Sequence, residues 1–325
     1  MSGTATTRVL RRSVAGWATV LLMFLCSIYP AAARDGFDVP EDPASIHSAI
    51  QDALAAPSSS AEWSQLRAFY EARDFRPAWM GRDAAPKRRA LLLRTLKNAD
   101  EQGLRSADYT ANIPTEPPVS AEEKAFYDVA LTMSFFHYAH DVRLGRLKPG
   151  DVYKDVDLPV QTYDAAAALG AALDEDDEDG DFADFLESLP PPHPEYYRLV
   201  EALAHYRGLA ARGDVKAAQH IEQIEANMER WRWLPRHFEK RTIRVNVPDQ
   251  SVEFVDEGVV KLRSKVVLGR KSMPTPILRT EAVAVVANPY WDIPDDIAVK
   301  SLVPHLRHDP NYLKTRNMVL VDGPP

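Results

Sequence analysis

The sequence predicts an α+β chain, with a mainly helical region over residues 61–234 followed by strands within residues 235–325. Two observations carry that reading. Apolar residues recur at three- and four-residue steps through the first region, which is the helical period. After Pro235 the period drops to two, with Ile243, Val245 and Val247 separated by Arg244 and Asn246, as in a half-buried strand. A third observation sets where folding begins, because residues 1–33 read as an export signal and not as structure.

That signal has three parts. Arg8, Arg11 and Arg12 form a positive segment with no acidic residue, the stretch from Val14 to Tyr29 is apolar, and Ala31-Ala32-Ala33 supplies small residues for cleavage. A retained anchor is the alternative, since the run approaches spanning length. The small residues directly after it and the polar chain from Arg34 favour cleavage, which leaves no stable membrane span. Cys26 follows Met23-Phe24-Leu25, which lacks the small residues of a lipid-attachment site. Arg11-Arg12 is a weak signal for twin-arginine export. Cys26 is also the sole cysteine, so the chain beyond the signal holds no disulfide and no thiol nucleophile. The formal net charge of −8, more negative once three arginines are removed, argues against nucleic acid, whose phosphates demand clustered Lys and Arg.

Residues 34–60 read as a flexible leader rich in Pro, Ala and Ser. A helix starts near Trp63 with Leu66, Phe69 and Tyr70 on one face, and Arg76-Pro77-Ala78-Trp79 breaks it. A second spans about Lys87 to Gln102 before Gly103, and Pro114, Pro117 and Pro118 make residues 111–119 a connector. Ser120-Ala121-Glu122-Glu123 is a capping box that opens a long helix to Leu144, stopped by Gly145. Helices at Tyr163–Leu173, Tyr196–Arg212 and Val215–Trp233 complete the region. Beyond Pro235, Asp256-Glu257-Gly258 turns one strand into a return strand ending at Gly269, and Met273–Pro276 is a rigid loop. Ala282–Ala287 reads as a near-continuous apolar strand, and a short helix runs from Asp295 to about Leu306. So few strands make an incomplete sheet.

Each chemical constellation has a plain rival. The acidic run Asp174–Asp181 aligns Glu175, Asp177, Asp179 and Gly180 with calcium-loop positions, but Leu186 stands where the bidentate carboxylate belongs, so a solvated loop is favoured. His137 with His140, and His305 with His308, are three apart and lack a third ligand, so no metal site is expected. Trp231-Arg232-Trp233 could stack sugars or pack a domain junction, and its place at a helix end before the sheet favours packing. In Asn288-Pro289-Tyr290-Trp291-Asp292-Ile293-Pro294 two prolines fix two aromatics after a strand. Tyr290 and Trp291 are then either the wall of a binding groove or a plug under the sheet, and both readings stand. There is no G-x-S-x-G, phosphate-binding Gly-rich loop or dinucleotide fingerprint, and no cofactor is expected.

Several stretches together resemble the large periplasmic L,D-transpeptidases, the YcbB-like group with a YkuD-type catalytic domain. These are Asn227-Met228-Glu229-Arg230-Trp231-Arg232-Trp233-Leu234-Pro235, the strand Thr242–Val247, Val267–Arg270 with Pro274-Thr275-Pro276, Asn288–Trp291, Lys300–Leu306, Asp309–Leu313 and Asn317-Met318. Upstream, Leu66–Tyr70 with Pro77-Ala78-Trp79, and Leu131–Leu147, are similar to the helical scaffold of that family. The resemblance covers about residues 60–325. It implies a scaffold domain over 61–234, the N-terminal part of a catalytic domain over 235–325, a periplasmic location and peptidoglycan stem peptides as partners. In intact relatives it implies 3→3 cross-linking by a cysteine thiolate through an acyl-enzyme.

The chain departs from the family pattern twice. Leu203–Ala211 runs through Arg212-Gly213-Asp214 almost directly into Ile221, which leaves no room for the small peptidoglycan-binding module often found there. No S-H-G-C segment occurs, so the expectation is a chain that stops ahead of the catalytic cysteine and is silent as given, with no catalytic residue assignable. The alternative is a non-catalytic periplasmic scaffold or peptidoglycan-binding protein.

Overall fold

A computed structural model describes residues 43–58, 60–81, 84–174, 181–270, 272–285, 287 and 293–319. They fall into two compact units, one reaching to Arg279 and a second beginning at Thr280. The division expected at 234/235 lies inside the first unit, so the strands after Pro235 sit with the helices.

The first helix, α1 (Pro43–Leu54), takes up part of the leader expected over residues 34–60, of which residues 34–42 lie outside the described residues. Ile46, Ile50 and Leu54 stand at four-residue steps, all buried, on the side that meets the long central helix. A Pro/Ala/Ser-rich composition masked that stripe, which tertiary packing then makes helical. Helix α2 (Ala61–Ala72) buries Leu66, Phe69 and Tyr70. The chain then reverses through Asp74 and Phe75, both left-handed at φ 53°, and Trp79 drops into the core. Helix α3 (Ala85–Lys97) runs into a 3₁₀ turn (Ala99–Gln102) that Gly103 closes at φ 67°, and α4 (Ser106–Thr110) follows.

The central element is α5 (Ala121–Leu144), buried on nearly every side. A helix apolar all round belongs in a core, and this one lies among α1, α2, α3 and α4. Its start is the expected capping box, with Ser120 accepting from the Glu123 N–H at 3.2 Å and Glu123 accepting from the Ser120 N–H at 3.3 Å. Its one buried acid, Asp128, holds the turn after α2. Asp128 Oδ1 accepts from the Tyr70 hydroxyl at 2.7 Å and the Ala78 N–H at 2.9 Å, and Oδ2 from the N–H groups of Trp79 at 2.7 Å and Met80 at 2.9 Å. One helical turn on, Thr132 Oγ1 accepts from the Trp79 indole at 2.9 Å. Burial pushes the Asp128 carboxyl up, while those donors pull back towards the ionised form. The spacing of Tyr70 and Pro77-Ala78-Trp79 thus has a cause: one carboxylate ties them to α5.

Next come α6 (Pro149–Val152), a short strand β1 (Val156–Asp157), α7 (Ala165–Asp174) and α8 (Asp181–Glu187). Helices α9 (Pro194–Ala211) and α10 (Ala217–Arg232) form an antiparallel hairpin through Gly213 at φ 92°. They share a small core of Tyr196, Leu203, Ile224 and Met228.

Strands β2 (Arg241–Asn246), β3 (Ser251–Asp256) and β4 (Val259–Lys265) make an antiparallel sheet in that order. Ile243 lies opposite Phe254, and Phe254 opposite Leu262. The β3–β4 turn places Glu257 and Gly258 both at positive φ, the primed geometry that suits a twisted hairpin. A short β5 (Ile277–Leu278) pairs in parallel with β1. The alternation is as read, but the faces are reversed. Ile243, Val245 and Leu262 are 59%, 49% and 57% exposed, while Thr242 and Arg244 are partly buried. Arg244 explains the reversal, since its guanidinium lies 3.8 Å from Glu195 of α9 and 3.5 Å from Glu253.

In the second unit the strand expected over Ala282–Ala287 does not form across its described residues. Residues 281–285 join no ladder, and Val283 and Val285 are 92% and 98% exposed. An apolar run becomes a strand only beside a partner, and among the described residues it has none. The helix expected from Asp295 is there in pieces, α11 (Asp295–Ile297), a π turn over Ala298–Leu302 and α12 (Val303–His308), before α13 (Tyr312–Thr315).

Replacing Asp128 by Ala strands the Ala78, Trp79 and Met80 N–H groups in the core and leaves the Tyr70 hydroxyl only its bond to Thr132 at 2.7 Å. Asp128→Ala is expected to destabilise the chain by about 3–5 kcal/mol in urea denaturation, with Asp128→Asn intermediate. A loss below about 1 kcal/mol would mean the turn after α2 is held by packing alone.

Candidate functional site

The block Asn227–Pro235 ends α10 and leads into the sheet, and its charged side chains turn inward. Arg232 is buried at 2% exposure. Its Nη1 donates to Glu229 Oε2 at 2.9 Å, and its Nη2 donates to the Gln102 carbonyl and to the Tyr196 hydroxyl at 3.1 Å. Tyr196 in turn donates to Gln102 Oε1 at 3.0 Å, and Glu229 Oε1 accepts the Leu147 N–H at 2.8 Å. Burial opposes the charge on Arg232, and Tyr196 with Glu229 more than restores it, holding the guanidinium above its ordinary value. Helix α10, the 3₁₀ turn, α9 and the segment after α5 are thereby joined at one cation.

The aromatics of the block complete the joint. Trp233 is buried and meets Tyr153 edge-on at 6.1 Å, and the Tyr153 hydroxyl accepts from Arg230 Nε at 2.7 Å. Gly145 lies against it. A Cβ on Gly145 would fall 2.7 Å from Glu229 Oε1 and 2.9 Å from Trp233 Nε1, at φ 88°, so the glycine that stops α5 also admits the block. Trp231 meets the His193 ring at 5.1 Å, and His193 stacks on Phe238 at 4.7 Å. His193 Nε2 sits 2.8 Å from the Pro235 carbonyl, so that nitrogen carries the proton. Burial pulls His193 below its ordinary value, against the pull of that carbonyl. Packing is therefore what Trp231, Arg232 and Trp233 do here.

Tyr290 and Trp291, the candidate binding residues, lie outside the described residues, as do Cys26 and most of the acidic run. His140 Nδ1 lies 3.1 Å from Asp141 Oδ1. His305 stacks on Tyr312 at 4.7 Å, and His308 Nδ1 faces the Pro304 carbonyl at 2.7 Å. Among the described residues no group of three or more His, Cys, Asp or Glu could hold a metal, and no helix is long and apolar enough to cross a membrane. Sequence reasoning missed Glu229 as a junction residue, although its three-residue step to Arg232 on a helix carrying Met228 was a usable signal. The joint holds no thiol. It fixes the direction in which the chain leaves the helices for the sheet.

A family model described as the scaffold domain matches residues 64–203, and one described as the L,D-transpeptidase catalytic domain, YkuD, matches residues 240–321. A Haemophilus influenzae protein named "Putative L,D-transpeptidase" is 24% identical over 263 residues, which is 79% of this chain and 50% of that protein. The chain spans about half the length of the curated relative it matches.

Two outcomes follow from the joint. Arg232→Met leaves Glu229 and Tyr196 without their cation and is expected to lower unfolding free energy by roughly 3 kcal/mol, read by denaturant titration. His193 and His137 are both held below their ordinary value by burial, so between the unfolded and folded values the unfolded chain binds more protons. Stability is then complete above about pH 6.5 and falls as pH drops below it. Thermal melts from pH 7.5 to 5.5 check this, with a shallower slope expected for His193→Gln; a slope unchanged in that variant would remove His193 from the account.

Proposed function

We propose, for a chain that belongs to the L,D-transpeptidase family and sets a scaffold domain ahead of a YkuD-type catalytic domain, that it acts on peptidoglycan outside the cytoplasmic membrane. One observation supports this most: the two domain matches occur in order, and the Asn227–Pro235 block between them is a built joint and not a linker. The Arg8–Ala33 segment, with its positive start, apolar stretch and small residues, supports export to the periplasm.

The reaction proposed for the intact family architecture is acyl transfer. A cysteine thiolate attacks the carbonyl of the third stem residue, the bond to the terminal D-Ala breaks, and a thioester forms. The amine of a neighbouring stem then attacks the thioester, restoring the thiol and giving a 3→3 cross-link. The thiolate is the reactive form, and a histidine must take or hold its proton. Residues 1–325 are proposed to be silent by themselves, because their sole cysteine, Cys26, sits in the apolar N-terminal stretch. In this reading Tyr290 and Trp291 form one wall of the stem-peptide groove.

A second reading is a non-catalytic periplasmic scaffold or peptidoglycan-binding protein. The thiol-free helical region, which closes its own core, favours it. Incubating residues 34–325 with tetrapeptide-bearing muropeptides separates the possibilities. No released D-Ala together with retention on purified sacculi is the expected result. Release of D-Ala would sink the thioester reading, since no cysteine remains to form it, and absence of sacculus binding would count against both readings.

A further inference from the structure

The helices grip the chain after Pro235 at two places, and the two grips differ in kind. At the first, the joint, the partners are buried, with Arg232 and Trp233 only 2% and 6% exposed. The second comes from the stretch after α6. Tyr153 leaves the joint, bonded to Arg230 and edge-on to Trp233, and the chain soon enters β1. There it pairs in parallel with β5, Val156 opposite Ile277 and Asp157 opposite Leu278. The Ile277 N–H donates to the Asp155 carbonyl at 3.1 Å, and the Arg279 N–H to the Asp157 carbonyl at 3.0 Å. Arg279 Nη2 adds a contact 3.2 Å from Glu239 Oε1.

This second grip is weak for three reasons. It is two residues long on each side, and parallel pairing is slightly less stable per residue than antiparallel. Among the described residues β5 pairs with no strand but β1, so no wider sheet braces it. No residue of 153–160 or 272–279 is buried, so no apolar cover holds it shut. Two strands without such cover are marginal in water, and an exposed ion pair adds little.

What hangs from this grip keeps its own shape. The Gly269 N–H donates to Thr275 Oγ1 at 2.8 Å, and the Met273 N–H to the Arg270 carbonyl at 2.9 Å. Glycine permits that closure, since a Cβ on Gly269 would fall 2.3 Å from the Met273 carbonyl oxygen. Neither bond uses β1. On the other side of this loop, the Val266 N–H is held by the Gln250 carbonyl at 3.0 Å. Arg279 is the last residue of the first compact unit, so the chain passes into the second directly from β5.

We propose that β1 and β5 form a releasable clasp, whose opening frees residues 267–279 from the helices while the Arg232 joint and the β2–β4 sheet stay intact. The fold then has two settings for the point where the chain leaves the first unit: one fixed by the scaffold, the other held only through Val266.

Amide hydrogen exchange of the purified full chain, at rising sub-denaturing urea, tests this. The Ile277 and Arg279 N–H groups are expected to be protected, but roughly 100-fold or more below Leu131 of α5, with exchange independent of urea as local opening requires. Asp157→Pro removes a ladder donor and is expected to bring both amides to the unprotected rate, leaving Leu131, the β2–β3 ladder and Gly269 unchanged. Val156→Cys with Ile277→Cys, in a chain carrying Cys26→Ser, is expected to close into a disulfide under mild oxidant and make Arg279 exchange urea-dependent. Exchange of Ile277 and Arg279 as slow as Leu131 with the same urea dependence, or at the unprotected rate in wild type, overturns the clasp. Loss of the β2–β3 ladder in an otherwise folded Asp157→Pro does so too. Should that variant fail to fold, the cysteine pair decides: no disulfide, or one that leaves Arg279 exchange unchanged, overturns the proposal.

Discussion

A guanidinium cannot lie buried at the end of a helix unless acceptors surround it, and Arg232 finds them on three separate stretches of chain. Gln102 closes a 3₁₀ turn, Tyr196 sits on α9, and Glu229 precedes it by one turn on α10. Desolvating the cation is costly, so each acceptor must be in place before the burial is tolerable. The chain leaves the helix beside this network, with Trp233 against Tyr153 and with Pro235 and Phe238 against His193. Removing Arg232 alone is costly because its partners stay buried, but the whole network adds little net stability over apolar residues in place of every member. It specifies an arrangement.

How much of this was legible depended on whether the signal was local. The capping box at Ser120, the stop at Gly145, the α9–α10 hairpin and the change of period after Pro235 are written within a few residues of where they act, and each appears in the fold. Ile46, Ile50 and Leu54 were legible too, but a Pro/Ala/Ser composition outweighed a stripe of three. Asp128 was not legible, since its partners come from residues 70–80 and a helical pattern records only that one position is polar. Glu229 and Arg232 lie between these cases: their spacing was visible, their burial was not. Tyr290 and Trp291 remain an expectation from sequence.

The sheet shows how an alternation can be read correctly and still point the wrong way. Period two says that two faces differ; it does not say which one meets the helices. Here the charged row Arg244, Glu253 and Arg263 pairs across the strands, and Arg244 extends to Glu195 and lies 5.9 Å over the Phe238 ring. Ion pairing on the helix side leaves Ile243, Val245 and Leu262 facing outward.

Gly145 carries a consequence for how such a chain can change over time. A Cβ built there would crowd a carboxylate oxygen and an indole, one of which would have to shift, and its φ disfavours most residues. Any substitution there wedges the segment after α5 away from α10, and an insertion or deletion between Leu144 and Lys148 shifts the Leu147 N–H off its carboxylate. Surface loops elsewhere can drift in length at small cost, but this short stretch behaves as a gauge block: its dimensions set the spacing of everything that rests on it.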